Sequence, residues 1–182
     1  MSVNRAAAHA GFSMLEVLVA LVVISLGLLG IAAMQAAAIN NTAIARTRSL
    51  GSIAAESMAA AMHANTAYWG NLSAAASNTW SVNASGVTGT PSLSQTVDCS
   101  ASGTACSAAN IAAYDVTQWG GSGGSLATLP GGSGQIACAA ASASSPTACT
   151  ITVSWLEKKS AVNAASVASG VAIQSYQMVV EP

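Results

Sequence analysis

The feature that most limits what this chain can become is its apolar run from Val17 to Ile39, broken only by Ser25 and Gln35, with Glu16 standing at its lip. A helix crosses a bilayer with about 20 mostly apolar residues, so this run can span one as a single helix. A carboxylate costs about 2.5–3.5 kcal/mol at the bilayer centre and less near the interface. Glu16 is therefore either solvated at the headgroup boundary or retained because an opposite charge answers it.

Charge and chemistry are sparse elsewhere. Only 6% of the 182 residues are charged, far below the usual quarter, and Ala, Ser, Gly and Thr take their place, which predicts a neutral, hydroxyl-rich surface. The net charge of −1 leaves no basic patch to release counterions from nucleic acid, so direct nucleic-acid binding is not expected. The acidic residues Glu16, Glu56, Asp98, Asp115, Glu157 and Glu181 are scattered, and no Ser, His and Asp ordering has the local context of an activated nucleophile. No enzyme, no catalytic residue and no cofactor is expected. Asp115 reads as a helix-surface or loop-capping residue and Asp98 as a turn residue.

The four cysteines, Cys99, Cys106, Cys138 and Cys149, all follow the apolar run. An even count in Gly-, Ser- and Pro-rich sequence reads as disulfides in an oxidising compartment. Four cysteines allow three connectivities, and the sequence does not choose among them, although pairing neighbours (Cys99 with Cys106, Cys138 with Cys149) closes the shortest loops. A metal site is not expected: neither pair is C-x-x-C, and the histidines are the distant His9 and His63.

No proline precedes Pro91, and the composition from Phe12 to about Ala67 allows one continuous helix, loosened at Gly27 and Gly30. Past Ile39 the pattern becomes one-sided: Leu50, Ile53, Ala54, Met58, Ala61 and Met62 recur at spacings of three and four, as on a helix that packs on a domain. Tyr68-Trp69-Gly70-Asn71 is expected to end it, with Gly70 as the C-terminal cap. His63 reads as a solvated or capping residue. From Asn71 to Thr104 the residues predict a long connection with one short strand near Leu93 to Val97. Ser107 offers an N-cap for a short helix through Trp119, and the Gly-rich segments after it read as stops and tight turns, without the Lys of a phosphate-binding loop. Ile151, Val153 and Trp155 alternate with polar residues as in a half-buried antiparallel strand. Gln135 to Ala141 and about Val171 to Val180 are its expected neighbours, the second reached through a connection from Lys158-Lys159 to Gly170. A sheet of three or four strands covered on one face by the one-sided helix accounts for both patterns.

The stretch Gly11-Phe12-Ser13-Met14-Leu15-Glu16, a short polar leader ending in Gly, then Phe, then Glu four residues on and an unbroken apolar helix, resembles the class III leader of type IV pilins and pseudopilins. The resemblance implies that a prepilin peptidase cuts after Gly11 and methylates the new amine of Phe12, and that Glu16 neutralises such an amine on a neighbouring subunit during filament assembly. Ammonium and carboxylate can both enter an apolar filament core only when matched. Residues 1–11 are then a leader to be removed, its single Arg5 fewer than the family commonly carries, and the net charge falls to −2 with it. Residues 12–39 form the membrane and filament-core helix, and residues 40–182 the globular domain, including the amphipathic half of the helix at 40–69. The competing reading is a secretory signal cut near Ala36 to Ala38; against it, the apolar run exceeds the usual 7–15 residues and contains Glu16 at its start. Arg5 before the run and Arg46 and Arg48 after it do not fix orientation by charge; the resemblance and the cysteines do, placing the domain in the periplasm.

The order Cys106, Tyr114-Asp115, Trp119, Leu129-Pro130-Gly131-Gly132-Ser133-Gly134 and Val153-Ser154-Trp155 further resembles PilV-type minor pilins, subunits associated with priming a type IV pilus. The implied fold is α+β, the pilin lollipop: a long N-terminal helix packed on a small antiparallel sheet. The implied protein is a minor pilin, held in the inner membrane and then carried into a pilus at the cell surface. Its expected partners are other minor and major pilins, the prepilin peptidase, the inner-membrane assembly platform and membrane lipid. Ala20, Gly27, Gly30, Ala32 and Ala33 would permit close helix approach. Two alternatives stay open: a type II secretion pseudopilin, which shares the leader, and a membrane-tethered adhesin or binding module anchored by exposed Trp69 or Trp80. Whether such a pilus serves twitching motility, adhesion or DNA uptake is not written in these residues.

Overall fold

A computed structural model describes residues 11–158 and 170–182. The leader before Gly11, with Arg5 and His9, and the expected connection after Lys158 lie outside the described residues. The chain divides into two compact units, one ending at Ala43 and one spanning Ile44–Pro182.

Helix α1 runs Met14–Ala64, as the absence of proline and the run of helix formers require. In the first unit every described side chain is exposed, large aliphatics such as Leu29 included. The hydroxyls there are satisfied within the helix: Ser25 Oγ donates to the Leu21 carbonyl at 2.6 Å and Thr42 Oγ1 to that of Ala38 at 2.9 Å. A hydroxyl bonded one turn back exposes no unmet donor to an apolar surrounding.

In the second unit α1 buries Gly51, Ala54, Ala55, Met58, Ala59 and Met62. Ile53, expected to face inward, is 55% exposed. The inward stripe is chosen by size: small residues bring the helix backbone close to the sheet, and a Cβ added at Gly51 would lie 2.6 Å from Trp155 Cζ3. Met58 and Met62 fill what remains, each contributing about 1.5–3 kcal/mol on full burial.

The helix also stops earlier than expected. Asn65 leaves helical geometry at φ −124°, ψ 53°, because its amide is drawn to the Ala108 carbonyl at 2.8 Å. A single turn, α2 at Thr66–Trp69, follows and ends at Gly70, whose φ of −77° is right-handed rather than the left-handed cap expected.

Among the described residues the sheet has five strands: β1 (Thr79–Asn83), β2 (Gly86–Thr90), β3 (Ser133–Ala139), β4 (Ala148–Lys158) and β5 (Val171–Val180), in the order β2-β1-β3-β4-β5. Every pairing is antiparallel. The late strands lie where the alternation puts them. The β1–β2 hairpin corrects the expectation of a connection there, and Leu93 to Val97 forms no strand. Trp80 and Val82 alternate inward from β1, and Asn83 Oδ1 accepts from the Ser85 N–H at 2.8 Å to close the two-residue turn Ala84-Ser85.

Register aligns one apolar face across the strands: Trp80 opposes Ile136, Ile136 opposes Ile151, and Ile151 opposes Met178. The other face carries hydroxyls and amides, with Gln177 Nε2 donating to Thr152 Oγ1 at 3.2 Å, alongside the exposed aliphatics Leu156, Val171, Ile173 and Val179.

Helix α3 (Ala108–Gly120) lies in the connection from β2 to β3, and Ser107 Oγ caps it by accepting from Asn110 N–H at 3.2 Å. Its Trp119 seats against β3 where Gly134 leaves room, since a Cβ there would lie 2.3 Å from the ring. The Trp119 indole N–H donates to the Ala54 carbonyl of α1 at 2.8 Å. A bidentate ion pair joins α1 to β4 near the protein surface, with Arg48 Nη2 to Glu157 Oε1 at 2.9 Å and Arg48 Nε to Glu157 Oε2 at 3.2 Å.

Candidate functional site

The residues singled out at the N-terminus bracket the start of α1, Gly11 and Phe12 before it and Glu16 in its first turn. Ser13 precedes the first helical residue, and its Oγ accepts from the Leu15 N–H at 3.2 Å and the Glu16 N–H at 3.4 Å. Its carbonyl accepts from Glu16 and Val17 at 3.0 and 3.3 Å. Ser13-x-x-Glu16 thus has the spacing of a capping box, and Glu16, in the first turn, places a negative charge where the aligned peptide dipoles are positive. Nothing in the sequence reading assigned Ser13, although a Ser three residues before a Glu at the head of an apolar run is a helix-start signal in itself.

Around this cap the apolar side chains stand open, Phe12 at 84% and Met14 at 87% exposure, and Glu16 is exposed among them. Glu16 makes no ion pair with a described residue; Arg48–Glu157 is the ion pair among them. In the uncut chain the Phe12 nitrogen is a peptide amide without charge. An ammonium able to answer Glu16 from that position exists only after the Gly11–Phe12 bond is broken. The small residues Ala20, Gly27, Gly30, Ala32 and Ala33 are likewise exposed, and at Gly27 and Gly30 a Cβ would meet nothing within 4 Å. α1 is long and apolar enough to cross a membrane.

The cysteines lie far from this segment in sequence. Cys99 is bonded to Cys106, and Cys138 to Cys149. The second bond joins directly opposed residues of β3 and β4, beneath the buried face of the sheet. Trp69 and Trp80, considered as exposed anchors for a binding module, are instead buried and meet edge to face with centroids 5.4 Å apart. They are core residues, held there by aromatic packing. His63 is exposed, and no group of His, Cys, Asp and Glu that could hold a metal occurs among the described residues. Asp98 does form a turn: its Oδ1 accepts from the Ser100 N–H at 2.9 Å and hydroxyl at 2.7 Å, which holds its carboxyl below the usual range. Asp115 departs from expectation, being partly buried beside α1, and burial raises its pKa.

Residues 7–32 match the family described as the prokaryotic N-terminal methylation motif. No curated protein and no solved structure matches the chain. With that motif over the leader and helix start, and an α+β fold in which a long N-terminal helix accompanies a five-stranded antiparallel sheet, the chain is type IV pilin-like, a class that takes in pseudopilins as well as pilus subunits.

Proposed function

We propose that this chain is a minor pilin, a structural subunit that primes or caps a type IV pilus. A prepilin peptidase removes residues 1–11 by cutting after Gly11 and methylates the Phe12 amine. Residues 12–39 then hold the subunit in the inner membrane with its disulfide-bonded domain in the periplasm. On assembly the helix leaves lipid for the helices of other minor and major pilins at the inner-membrane platform. There Glu16 meets the Phe12 amine of a neighbour, each removing the cost of the other's charge in an apolar filament core. The role is structural rather than catalytic.

The observation that carries this reading is the methylation motif at residues 7–32, set on the capped start of a helix whose apolar side chains from Met14 to Ile39 are all exposed. The pilus branch over the secretion branch is favoured by the cysteines, which form two disulfides, and by the Gly-rich turn of the later string resembling PilV-type subunits. Trp119 lies on Gly134, the Leu156 N–H donates to the Pro130 carbonyl at 2.8 Å, and Gly131 abuts Leu156.

Intact-mass and N-terminal fragment analysis of the mature protein tests the processing step. The expected product begins at N-methylated Phe12. A product beginning after Ala36 to Ala38, or one retaining Met1, overturns the reading.

A further inference from the structure

The two edges of the sheet are unlike. At one, β2 has five residues, two of them glycines at positive φ, 131° at Gly86 and 156° at Gly89, with Pro91 directly after it and α3 packed beside it. A short strand interrupted by glycine and stopped by proline gives a further strand little to pair with. At the other edge, β5 pairs with β4 in unbroken register from Val171 to Val180, so its ten residues carry no bulge. They include no proline, no glycine and no charge. Alternate N–H and C=O groups of an antiparallel strand point to opposite sides, and among the described residues no backbone hydrogen bond reaches β5 from the side away from β4.

Packing is also unfinished at that edge. Along β4 the inward residues Ile151, Val153 and Trp155 are buried, while their partners on β5, Met178, Tyr176 and Gln174, are only half-buried. On the outward row Ile173 is 75% and Val179 64% exposed. One strand further out would cover the inward row and continue the outward one. An open run of backbone donors and acceptors is met in full only by another extended backbone, and the side chains at alternate positions of that backbone decide which one fits. A charge on it would find no opposite charge on β5. We propose that β5 takes up a strand donated by another protein, an uncharged extended segment of about five residues or more with aliphatic side chains at alternate positions, laid beside Tyr176 and Met178.

A second copy of this chain fits the edge less well. Two β5 strands meet antiparallel across a two-fold axis perpendicular to the sheet, which reverses α1 from one copy to the other, whereas chains anchored in one membrane carry α1 in the same sense. Against β2 of another copy, β5 would find five residues and one half-buried aliphatic, Val87. The argument against the two-fold pair rests on the membrane placement proposed above; the open edge does not.

The test uses full-length ¹⁵N-labelled protein in detergent micelles, uncut at Gly11, so that its outcome is independent of the processing step. The probe is a capped Thr-Val-Thr-Ile-Thr-Val-Thr peptide. The control is the same peptide with proline at its third and fourth residues, which removes one donor from each of its edges. The expected result is saturable amide shifts confined to β5 and β4, with hydrogen exchange slowed about tenfold or more at alternate β5 amides, and no effect of the proline peptide. Ile173→Lys and Val179→Lys put a charge on exposed edge positions. Each is expected to weaken binding by about tenfold and to leave the denaturant midpoint, read by tryptophan fluorescence, unchanged. Absence of saturable shifts, equal binding of the proline peptide, shifts centred on β2, or binding undiminished in both lysine variants would overturn the proposal. Sedimentation of the protein without peptide is expected to find a monomer. A concentration-dependent dimer that Ile173→Lys abolishes would give the edge to a second copy and overturn the donated strand.

Discussion

From Met14 to Ala43, α1 leaves every side chain exposed, while from Ile44 to Ala64 the same helix buries Gly51, Ala54, Ala55, Met58, Ala59 and Met62. Both halves are rich in helix formers, so the difference lies in where size is placed. In the first half Leu, Val and Ile point in all directions and the small residues are interspersed. In the second the small residues face the sheet, and the one isoleucine of the stripe region, Ile53, faces out. A helix apolar all round expects its partners from outside itself, whether lipid or other helices. A helix apolar by its small residues has a partner in its own chain, and its neighbour's large side chains, Trp155 and Trp119, supply the volume.

The comparison breaks most sharply at Glu16. If the first half is built for other subunits, Glu16→Ala removes a charge match and leaves the second unit intact. The expected outcome is loss of nearly all incorporation into sheared filaments, with membrane insertion and denaturant midpoint unchanged. All four tryptophans, Trp69, Trp80, Trp119 and Trp155, lie in the second unit, so their fluorescence reads its unfolding alone. Incorporation of Glu16→Ala at normal levels would remove the pairing argument and leave Glu16 as a helix-capping acid.

The same glycine-to-alanine change in the two halves sharpens the contrast. Gly51→Ala drives a methyl into the Trp155 ring, an overpacking expected to cost about 1–3 kcal/mol despite alanine's better helix propensity. Gly30→Ala meets nothing within 4 Å and gains about 0.5–1 kcal/mol of local helix preference. Denaturant unfolding of each full-length variant in micelles, followed by tryptophan fluorescence, is expected to lower the midpoint for the first and not for the second. Any defect of Gly30→Ala then belongs to assembly, where a close helix approach would be blocked.

The features legible in the sequence were those whose cause is local. The apolar helix is written in consecutive residues, Val17 to Ile39; α3 is announced by Ser107, and β4 by the alternation of Ile151, Val153 and Trp155. What was missed has its cause elsewhere in the chain. The end of α1 is set by Asn65 reaching Ala108, a contact between residues distant in sequence. The β1–β2 hairpin has two inward apolar residues in β1, and β2 adds only the half-buried Val87, too few for a periodicity. Its turn, Ala84-Ser85, has none of the glycine or asparagine that would mark it. Asp115 looked like a surface residue because its partial burial exists only when α1 and α3 lie side by side. Glu16 is the reverse: its position is plain in the sequence, while the charge proposed to answer it arises only after a peptide bond is cut.

The smallest expected effect lies where α1 enters the second unit, at Arg48 and Glu157. Their paired hydrogen bonds hold the Glu157 carboxyl below its ordinary range, chiefly through the Arg48 side chain, and raise the Arg48 guanidinium in return. A carboxyl depressed by folding adds stability at pH values above its unfolded pKa, and that stability is lost as pH falls through the lower folded value. Arg48 is 58% exposed on its side chain, so water and salt screen the pair and its contribution is small. Glu157→Gln is therefore expected to lower the denaturant midpoint slightly at pH 7, by less than Gly51→Ala does. Raising the salt should shrink the difference, and acid below the ordinary carboxylate range should erase it. A Glu157→Gln deficit that persists unchanged in strong acid would mean that residue 157 acts through packing on α1, and that charge plays no part in fastening this end of the helix.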